Sequence, residues 1–563
     1  MISAEGSRIT VETKTVTAIF DNGRLVSLCS SLTQEEFMAM GQGQTSSIQL
    51  VYQSGEVVDV DAGMLGNVDV RFSGGSLAEF RFHGWAGDGI IAISEDEESG
   101  EVIVEPSAYS RRSGLIACRW VLPGIRHDLE LVAPFYQGVR LKLDDELVRH
   151  SRWIWPSLWE AGLVLLQGPT SGFWVHCEDD RGRYKALNVG TAIDPFGLGF
   201  DSEAYGPRHA NRAAGGLAWR INVYQGDWRV PATRYKQWFW QTYRLRDALQ
   251  KRSSWIQDIR LVLYWCPLDP GILDAVSRVL PPSSVLVHIH DWRTDPYDEN
   301  YPTYHPSERA KAFVDHGNAL GFRILPHFNS VDMDPTHSLY PVFQDFGYRD
   351  LSTGGHIGWA WDQARGAQLP VPESAWGHVH NRTRKVMVKI HPGLSTWRST
   401  LAEAIEGAVE EIRVNQIFLD VTLTTYNLDN CFVEGMTSTE GMNRLIERLS
   451  AVGGGLAIAG EGLNEMSVQK LSFASAHLFK SAQQSIGGLE RTGGCPLNDF
   501  LFAPLCRTFG YAGLAGRNED EELRMRIHDE HHAIPTLTIG SAEAIVHPNA
   551  VVRRLLERAV IGG

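Results

Sequence analysis

The sequence lacks the cysteine patterns that indicate a disulfide framework or a structural zinc site. It has seven widely spread cysteines, an odd number, and no two of them form a Cys-x-x-Cys pair. Small disulfide-stabilised domains and zinc modules use even sets or closely spaced pairs of cysteines. We therefore expect a chain that folds around its own hydrophobic core, and we predict no cofactor.

The sequence also lacks a long apolar run and an excess of basic residues. No stretch of about 18 apolar residues occurs, so no transmembrane helix is predicted. The opening MISAEGSRITVETKT has neither the apolar core nor the basic leader of a signal peptide. The formal net charge of −15 disfavours a nucleic-acid or membrane partner, because phosphate binding requires clustered Lys and Arg. We expect a cytoplasmic protein with a neutral ligand, and we leave homo-oligomerisation open.

What the chain does have is length and the composition of a globular protein. Its 563 residues exceed the roughly 250 to 300 at which a single core stops growing. Two or more domains are therefore expected. Its 17 tryptophans suit a large core, and they also suit a sugar-binding cleft, where an aromatic face packs against a pyranose ring.

Residues 1–230 have the pattern of an antiparallel β-sandwich. RITVETKTVTAIFD alternates apolar and polar residues, and the Asn22-Gly23 pair then marks a hairpin turn into RLVSLCS. Further short strand-like runs follow, separated by Gly-rich turns. We predict a β-sandwich at 1–230 and a helical linker at 231–255, where Pro231 suits a first helical turn.

From residue 256 onward, strand-like runs alternate with amphipathic helices. This alternation predicts βαβ units and a parallel sheet, either closed into a barrel or open and doubly wound. No Gly-x-Gly-x-x-Gly motif opens a helix after the first strand, so the signature of a dinucleotide-binding fold is missing. We predict a (β/α)8 TIM-like barrel at 256–563, with a long insertion at about 330–393. The predicted fold class is thus multi-domain, all-β followed by α/β.

Two carboxylates stand at the ends of consecutive predicted barrel strands, where the active sites of such barrels lie. Asp420 ends the run QIFLD and Glu461 ends GLAIAGE. Because neighbouring strands lie about 5 Å apart, the pair can reach the roughly 5 to 5.5 Å spacing of a retaining glycosidase. We predict that Asp420 and Glu461 are catalytic, and Glu465 is the rival to Glu461. As a simpler interpretation, each is a capping or loop carboxylate.

Aromatic and polar residues at the other predicted strand ends are candidates for contact with a sugar. The predicted substrate-binding residues are Trp265, His290, Asp291, Trp292, His327, Asn329, Trp397 and Glu465, and Trp359, Trp361 and His378 of the insertion are further candidates. The tryptophans also have a plain interpretation as core residues. His288, His290 and His327 could ligate a metal, but donation to sugar hydroxyls is favoured, and no metal site is predicted.

The longest of these motifs resembles a known class of enzymes. KIHPGLSTWRSTLAEAIEGAVEEIRVNQIFLDVT resembles the segment of TIM-barrel glycoside hydrolases that leads to the nucleophile strand, and GLAIAGEGLNE resembles the next strand with the acid/base. The pattern is similar to the α-amylase-like clan, in particular its endo-α-N-acetylgalactosaminidase-like branch. TKTVTAIFDNGRLVSLCSS resembles the opening of a galactose-mutarotase-like β-sandwich. The resemblance implies that Asp420 is the nucleophile and Glu461 the acid/base.

The chain departs from the amylase pattern in two places. Residues 415–419 contain no Arg before the nucleophile, and the usual His-Asp pair near strand seven is replaced at best by Asn498 and Asp499. The resemblance thus adds Asp499 to the substrate-binding residues and does not imply α-glucan specificity. The expected function is a retaining glycoside hydrolase acting on an α-linked sugar of an oligosaccharide or glycoside. A non-catalytic glycan-binding protein and a metal-dependent TIM-barrel lyase or isomerase remain the alternatives.

Overall fold

The chain folds into two compact units in a computed structural model. The structure describes residues 1–39, 46–60, 68–73, 75–83, 85–144, 151–190, 196–362, 367–376, 386–476, 495–510 and 521–561. The first unit comprises Met1–Arg244 and Lys480–Leu501, and the second comprises Leu245–Phe479 and Phe502–Gly563. The chain therefore leaves the second unit once, contributes a short segment to the first, and returns.

The first unit is built from antiparallel strands. The Asn22-Gly23 turn joins two of them as predicted: both residues have positive φ, and Asp21 pairs with Arg24 across the two-residue loop. The strands are β1 (Ile2–Glu5), β2 (Arg8–Glu12), β3 (Val16–Asp21), β4 (Arg24–Ser30), β5 (Ile48–Tyr52), β6 (Val57–Asp59), β7 (Val68–Ser73), β8 (Leu77–Phe82), β9 (Gly87–Asp96), β10 (Glu101–Ser110), β11 (Leu115–Ile125), β12 (Glu130–Ala133), β13 (Val139–Lys142), β14 (Ser151–Ile154), β15 (Leu163–Gln167), β16 (Ser171–His176), β17 (Lys185–Val189), β18 (Phe196–Glu203), β19 (Ala213–Gly215) and β20 (Trp219–Gln225).

These strands form a four-stranded, a ten-stranded and a six-stranded sheet. The two larger sheets meet through aromatic side chains: the ring of Phe200 on β18 lies 5.0 Å from Trp219 on β20. Trp120 on β11 stacks on the same Phe200 ring at 5.2 Å. Buried rings from both sheets thus form a shared core, and the prediction of an N-terminal antiparallel β-rich region is confirmed.

The segment that returns to the first unit is attached to a buried carboxyl group. Asn498 donates a hydrogen bond to Glu160 at 2.7 Å, and the backbone amide of Gln137 donates a second one at 2.7 Å. Burial raises the pKa of Glu160 to about 8. The helix Arg229–Thr242, which the sequence predicted as part of a linker, also lies in this unit.

The second unit contains eight parallel strands. They are β21 (Leu261–Leu263), β22 (Val285–Ile289), β23 (Arg323–Asn329), β28 (Gln416–Asp420), β29 (Ala457–Glu461), β30 (Phe473–Ala476), β31 (Arg507–Gly510) and β32 (Thr536–Leu537), in the sheet order β31-β30-β29-β28-β23-β22-β21-β32. A parallel bridge between Phe509 and Ile534 brings the two ends of the sheet together. The prediction of a TIM-like barrel is therefore confirmed as a near-closed, eight-stranded parallel barrel.

The predicted insertion between β23 and β28 carries a sheet of its own. Its four antiparallel strands are β24 (Asp332–Met333), β25 (Gly358–Asp362), β26 (Ala367–Pro370) and β27 (Val386–Lys389), in the order β24-β27-β25-β26. The strand β24 begins three residues after the end of β23, so this sheet starts beside the C-terminal ends of the barrel strands.

The remaining elements are helices, of which Ser438–Ser450 begins with a capping box between Thr437 and Glu440. The α-helices besides Arg229–Thr242 are Leu245–Gln250, Pro270–Ser277, Glu308–Leu320, Tyr340–Phe343, Ser395–Ile412, Ser438–Ser450, Leu497–Phe502, Glu521–Glu530, Glu543–Val546 and Ala550–Ile561. The 3-10 helices are Ser254–Asp258, Pro282–Ser284, Gln344–Phe346, Glu373–Ala375, Val452–Gly454 and Ser467–Gln469. Among the described helices, none is both long and apolar enough to cross a lipid bilayer.

A layer of apolar side chains fills the interior of the barrel. It includes Val262, Leu286, Leu325, Phe418, Ala459 and Phe473. Because strand side chains alternate between the two faces, the residue two positions further along each strand also points inward. Those residues are Tyr264, His288, His327, Asp420, Glu461 and Ser475. The sequence thus places a polar ring directly above an apolar floor, at the C-terminal mouth of the barrel.

Candidate active site

The register of β28 and β29 brings the two predicted catalytic carboxylates together. Leu419 pairs with Gly460 in parallel register, so Asp420 and Glu461 are the next neighbours across the two strands. The backbone amide of Val421 donates a hydrogen bond to Glu461 Oε2 at 3.1 Å. The carboxylate of Glu461 therefore lies against the peptide that directly follows Asp420.

That peptide is held at both ends. The amide and hydroxyl groups of Ser330 donate to the carbonyl oxygen of Asp420 at 3.1 and 2.7 Å. Trp397 Nε1 in turn donates to the Ser330 carbonyl at 3.1 Å. Val421 has a φ of 65°, a left-handed conformation that costs a β-branched residue about 1 to 3 kcal/mol. This costly turn directs the Val421 amide at Glu461.

Two histidines connect the first barrel strand to Asp420. The backbone amide of Trp265 donates to His288 Nδ1 at 3.2 Å, and His288 Nε2 lies 3.2 Å from His327 Nδ1. His327 Nε2 lies 3.6 Å from Asp420 Oδ2. Burial lowers the pKa of His288 well below its usual value and the pKa of His327 to about 4. Both rings are therefore neutral at pH 7.

Burial also raises the pKa of Asp420 well above its usual value, and the nearby carboxylates of Glu461 and Asp332 raise it further. Lys389 acts in the opposite direction. Lys389 Nζ forms a buried ion pair with Asp332 Oδ1 at 2.8 Å, and Trp359 Nε1 donates to the same oxygen at 3.1 Å. All three residues come from the insertion sheet. Sequence reasoning missed Asp332 and Lys389, because isolated charges in a long insertion carry no motif.

An aromatic wall stands beside Asp420. The half-buried ring of Trp265 lies 4.4 Å from His290 and 5.4 Å from Tyr297. Tyr297 lies 5.2 Å from His327, and burial followed by the charge of Asp420 raises its pKa well above 10. Sequence reasoning missed Tyr297, because one aromatic residue within the acidic run DPYDEN carries no motif. His290 Nε2 contacts the exposed Asp291 at 3.1 Å.

Three of the residues predicted to bind substrate are buried and make structural contacts. Trp292 is fully buried and donates from Nε1 to the His327 carbonyl at 2.8 Å. Trp397 is also fully buried, under the Ser330 loop. The side-chain oxygen of Asn329 accepts the amides of Val331 and Asp332 at 3.2 and 2.8 Å, which closes a tight turn. Their burial and contacts give these side chains a role in shaping the mouth, and we leave them out of the substrate contacts proposed below.

The remaining predicted residues belong to different parts of the chain. Glu465 is buried in the loop after β29, and Asp499 lies in the part of helix Leu497–Phe502 that belongs to the first unit. The structure thus assigns Asp499 to a different unit from the carboxylate pair. Trp361 is half-exposed on the insertion sheet. His378 lies outside the described residues.

The three histidines do not form a metal site. Both ring nitrogens of His288 are engaged, one by the Trp265 amide and one by His327, so His288 offers no lone pair to a metal. Within the described ranges, the one His/Cys/Asp/Glu cluster with metal-like spacing is Glu101, His176 and Glu178 of the first unit. There the Arg220 guanidinium lies 3.0 Å from Glu101 and already supplies the positive charge.

A β-rich region followed by a near-closed parallel barrel is also the fold of solved glycoside hydrolases. The α-N-acetylgalactosaminidase NagBb from Bifidobacterium bifidum, in its GalNAc complex, is 14% identical with a TM-score of 0.65, covering 100% of this chain and 93% of that chain. Its ligand-free form is 13% identical with a TM-score of 0.66, at 100% and 93% coverage. The GH36 α-galactosidase AgaA from Geobacillus stearothermophilus is 9% identical with a TM-score of 0.50, at 98% and 86% coverage. The chain therefore has a glycoside hydrolase fold.

The sequence itself assigns the family. Residues 217–511 match the family model described as a domain of unknown function, DUF6259, and the chain belongs to this family. The match begins two residues before β20, the last strand of the first unit, and runs through the barrel as far as β31. It thus includes both Asp420 and Glu461. A comparison with curated proteins gave no match.

Proposed function

We propose that the chain is a retaining glycoside hydrolase that cleaves an α-linked sugar from an oligosaccharide or glycoside. The observation that carries this proposal is the cross-strand position of Asp420 and Glu461 at the C-terminal mouth of the barrel. Adjacent strands lie about 4.7 to 4.9 Å apart, which suits the roughly 5 to 5.5 Å of a retaining pair better than the 6.5 to 9.5 Å of an inverting pair. The shared fold with NagBb, which is named an α-N-acetylgalactosaminidase, supports an α-linkage.

In this proposal Asp420 attacks the anomeric carbon while Glu461 protonates the glycosidic oxygen of the leaving group. Glu461 then removes a proton from water, which displaces Asp420 and releases a sugar with the original anomeric configuration. Trp265 and Tyr297 offer aromatic faces to the sugar ring. Nδ1 of His290 is buried and has no hydrogen-bond partner among the described residues, and in this proposal a sugar hydroxyl supplies that partner.

Which of the two carboxyl groups carries a proton decides which is the nucleophile and which is the acid. Two carboxyl groups this close titrate as a coupled pair and hold one proton between them at intermediate pH. Asp420 must be ionised to attack, so the effect of its burial has to be offset. Lys389 favours ionised Asp420, and His327 Nε2 faces its carboxylate. The acid role requires the shared proton to reside on Glu461.

One observation favours the reverse assignment. The Val421 amide donates to Glu461 Oε2, whereas the pKa of Asp420 stays raised overall even though Lys389 and the same amide both lower it. With the roles exchanged, Glu461 would attack and Asp420 would protonate the leaving oxygen. The same pair of variants distinguishes the two assignments.

The test begins with a screen of aryl α- and β-glycosides, in which NMR reads the anomer of the first product. An α-glycoside that releases an α-anomer supports the proposal, and a β-anomer contradicts retention. Asp420→Ala and Glu461→Ala are then assayed with azide. Loss of nearly all turnover in Asp420→Ala, with a β-glycosyl azide as product, identifies Asp420 as the nucleophile. An α-glycosyl azide from Glu461→Ala identifies the acid/base.

Opposite azide anomers would reverse the roles. Wild-type activity in either variant would refute the pair. Sugar binding without turnover of any glycoside would instead indicate a glycan-binding protein, in which burial keeps Asp420 protonated.

A further inference from the structure

We propose that His288 is a positioning residue: together with the Trp265 amide it fixes the tautomer of His327, so that His327 always presents an N–H to Asp420. The catalytic consequence of this inference rests on the proposed function. The tautomer itself follows from the hydrogen bonds alone and can be measured without any substrate.

The direction of the hydrogen-bond chain is set at its first link. A backbone amide can only donate, so His288 Nδ1, 3.2 Å from the Trp265 nitrogen, must carry a lone pair. A neutral imidazole has one ring proton, which leaves it on His288 Nε2. Trp265 has a φ of 56°, a left-handed conformation that is rare for an aromatic residue and that turns its amide toward His288.

The hydrogen bond between His288 and His327 then determines which nitrogen of His327 is the acceptor. The protonated Nε2 of His288 lies 3.2 Å from His327 Nδ1, which must therefore accept. The proton of His327 is then on Nε2, which is buried and has no hydrogen-bond partner in the described part of the chain. Asp420 Oδ2 lies 3.6 Å from this nitrogen.

The result is a fixed donor at the mouth of the barrel. Catalytic hydrogen bonds are often long in empty sites and shorten when substrate binds. An N–H facing Asp420 favours the ionised carboxylate and leaves the other oxygen free to attack. The opposite tautomer would place a lone pair against that carboxylate and favour its protonated form. The fully buried His288 never has to touch the sugar to produce this effect.

The charged groups around the two rings do not disturb the tautomer. Asp298, Glu461 and Asp291 favour a charged His327, and Arg293 opposes it. His327 and His290 both disfavour a charged His288. Burial outweighs these charges, so both rings are neutral at pH 7.

Two variants separate positioning from packing. His288→Gln keeps an acceptor for the Trp265 amide and a donor for His327, whereas His288→Phe keeps only the ring. We expect His288→Gln to retain most of the activity. We expect His288→Phe to lower kcat by about 10- to 100-fold, the effect of one lost hydrogen bond to a charged group, with KM little changed. The acid limb of the kcat/KM profile should move to higher pH, because Asp420 becomes harder to ionise.

His391→Phe is the matched control. His391 is also fully buried, and its Nδ1 also accepts a backbone amide, from Gly393 at 3.0 Å. It lies in the insertion and belongs to neither link of the chain described above. We expect this variant to lose stability and to leave the acid limb of the kcat/KM profile in place.

The decisive measurement is the protonation of the rings. In protein labelled with 15N-histidine, long-range 1H–15N correlation should show His327 with a protonated Nε2 and an unprotonated Nδ1, assigned by comparison with His288→Gln. A proton on His327 Nδ1 would overturn the inference even in a protein that hydrolyses no glycoside. In an active enzyme, a wild-type kcat and pH profile for a folded His288→Phe would also overturn it. If His288→Phe does not fold, the spectrum and His288→Gln decide, and near-complete inactivity of a folded His288→Gln counts against the inference.

Discussion

The amide of Val421 donates a hydrogen bond to the carboxylate of Glu461 at 3.1 Å, so the peptide after one proposed catalytic residue orients the other. The same device recurs just after the first barrel strand, where the Trp265 amide donates to His288. Both donors belong to non-glycine residues with positive φ. Strained backbone of this kind persists where the surrounding structure enforces it, and it concentrates at functional sites.

Ser330 is expected to support activity through the carbonyl of Asp420. Ser330→Ala removes the 2.7 Å hydroxyl bond to that carbonyl and leaves the backbone amide bond in place. We expect the free energy of unfolding to fall by about 1 kcal/mol and kcat to fall roughly 3- to 10-fold. Denaturant titration and steady-state kinetics measure the two effects.

Ser284→Ala is the control for that variant. It removes a similar hydrogen bond, which the buried Ser284 hydroxyl donates to the Pro281 carbonyl at 2.8 Å. Ser284 directly precedes β22, so it lies at the end of the barrel away from the carboxylate pair. Its stability should fall by a similar amount while kcat stays unchanged. An equal loss of kcat in both variants would contradict a specific role for Ser330.

The two tryptophans after the first two strands should behave differently. Trp265→Ala removes a half-buried aromatic ring from the mouth of the barrel, and we expect KM to rise about 5- to 30-fold, as the loss of one aromatic contact of 1 to 2 kcal/mol implies. Trp292→Phe removes the indole donor to the His327 carbonyl and should lower the free energy of unfolding by about 1 kcal/mol at unchanged KM. A larger effect of Trp292→Phe on KM would contradict this division.

Asp420→Asn should stabilise the protein while inactivating it. Burial and the charge of Glu461 raise the pKa of Asp420 in the folded state above its unfolded value. The folded protein therefore loses stability as pH rises through the range between the two pKa values, and an amide avoids this loss. We expect the free energy of unfolding to rise by about 0.5 to 2 kcal/mol at pH 7, and by less at pH 4. An equal gain at both pH values would show that charge is not the cause.

Activity should survive treatment with a chelator. His288 has no lone pair to offer, so the histidines at the mouth of the barrel cannot act as a three-histidine metal site. We expect unchanged kcat/KM after dialysis against EDTA, with metal content followed by elemental analysis. Loss of activity that zinc restores would instead favour the metal-dependent lyase or isomerase.

Patterns that are local in the sequence predicted much of this structure. The two-residue turn at Asn22-Gly23 specifies its hairpin, because few residue pairs adopt positive φ so readily. The alternation of strands and helices after residue 256 indicated a parallel sheet, and the known location of barrel active sites then selected Asp420 and Glu461. These predictions depend on spacing and on residue type alone.

Other features depend on side-chain directions that no spacing specifies. Tyr297 sits in an acidic loop, yet its ring turns toward His327. Trp292 and Trp265 both follow barrel strands, but one is buried in the core and the other lines the mouth. The ion pair of Asp332 and Lys389 joins residues 57 positions apart in the chain. Such contacts exist only once the strands have assembled.

The return of residues 495–501 to the first unit means that the gene cannot be divided by a single cut. A fragment that begins at residue 245 would carry Asn498 without the Glu160 carboxyl group to which it donates. A fragment that ends at residue 244 would keep Glu160 but lose that donor, next to a buried acid with a pKa of about 8. The two units are interleaved along the chain, so neither unit can be expressed intact as one continuous fragment.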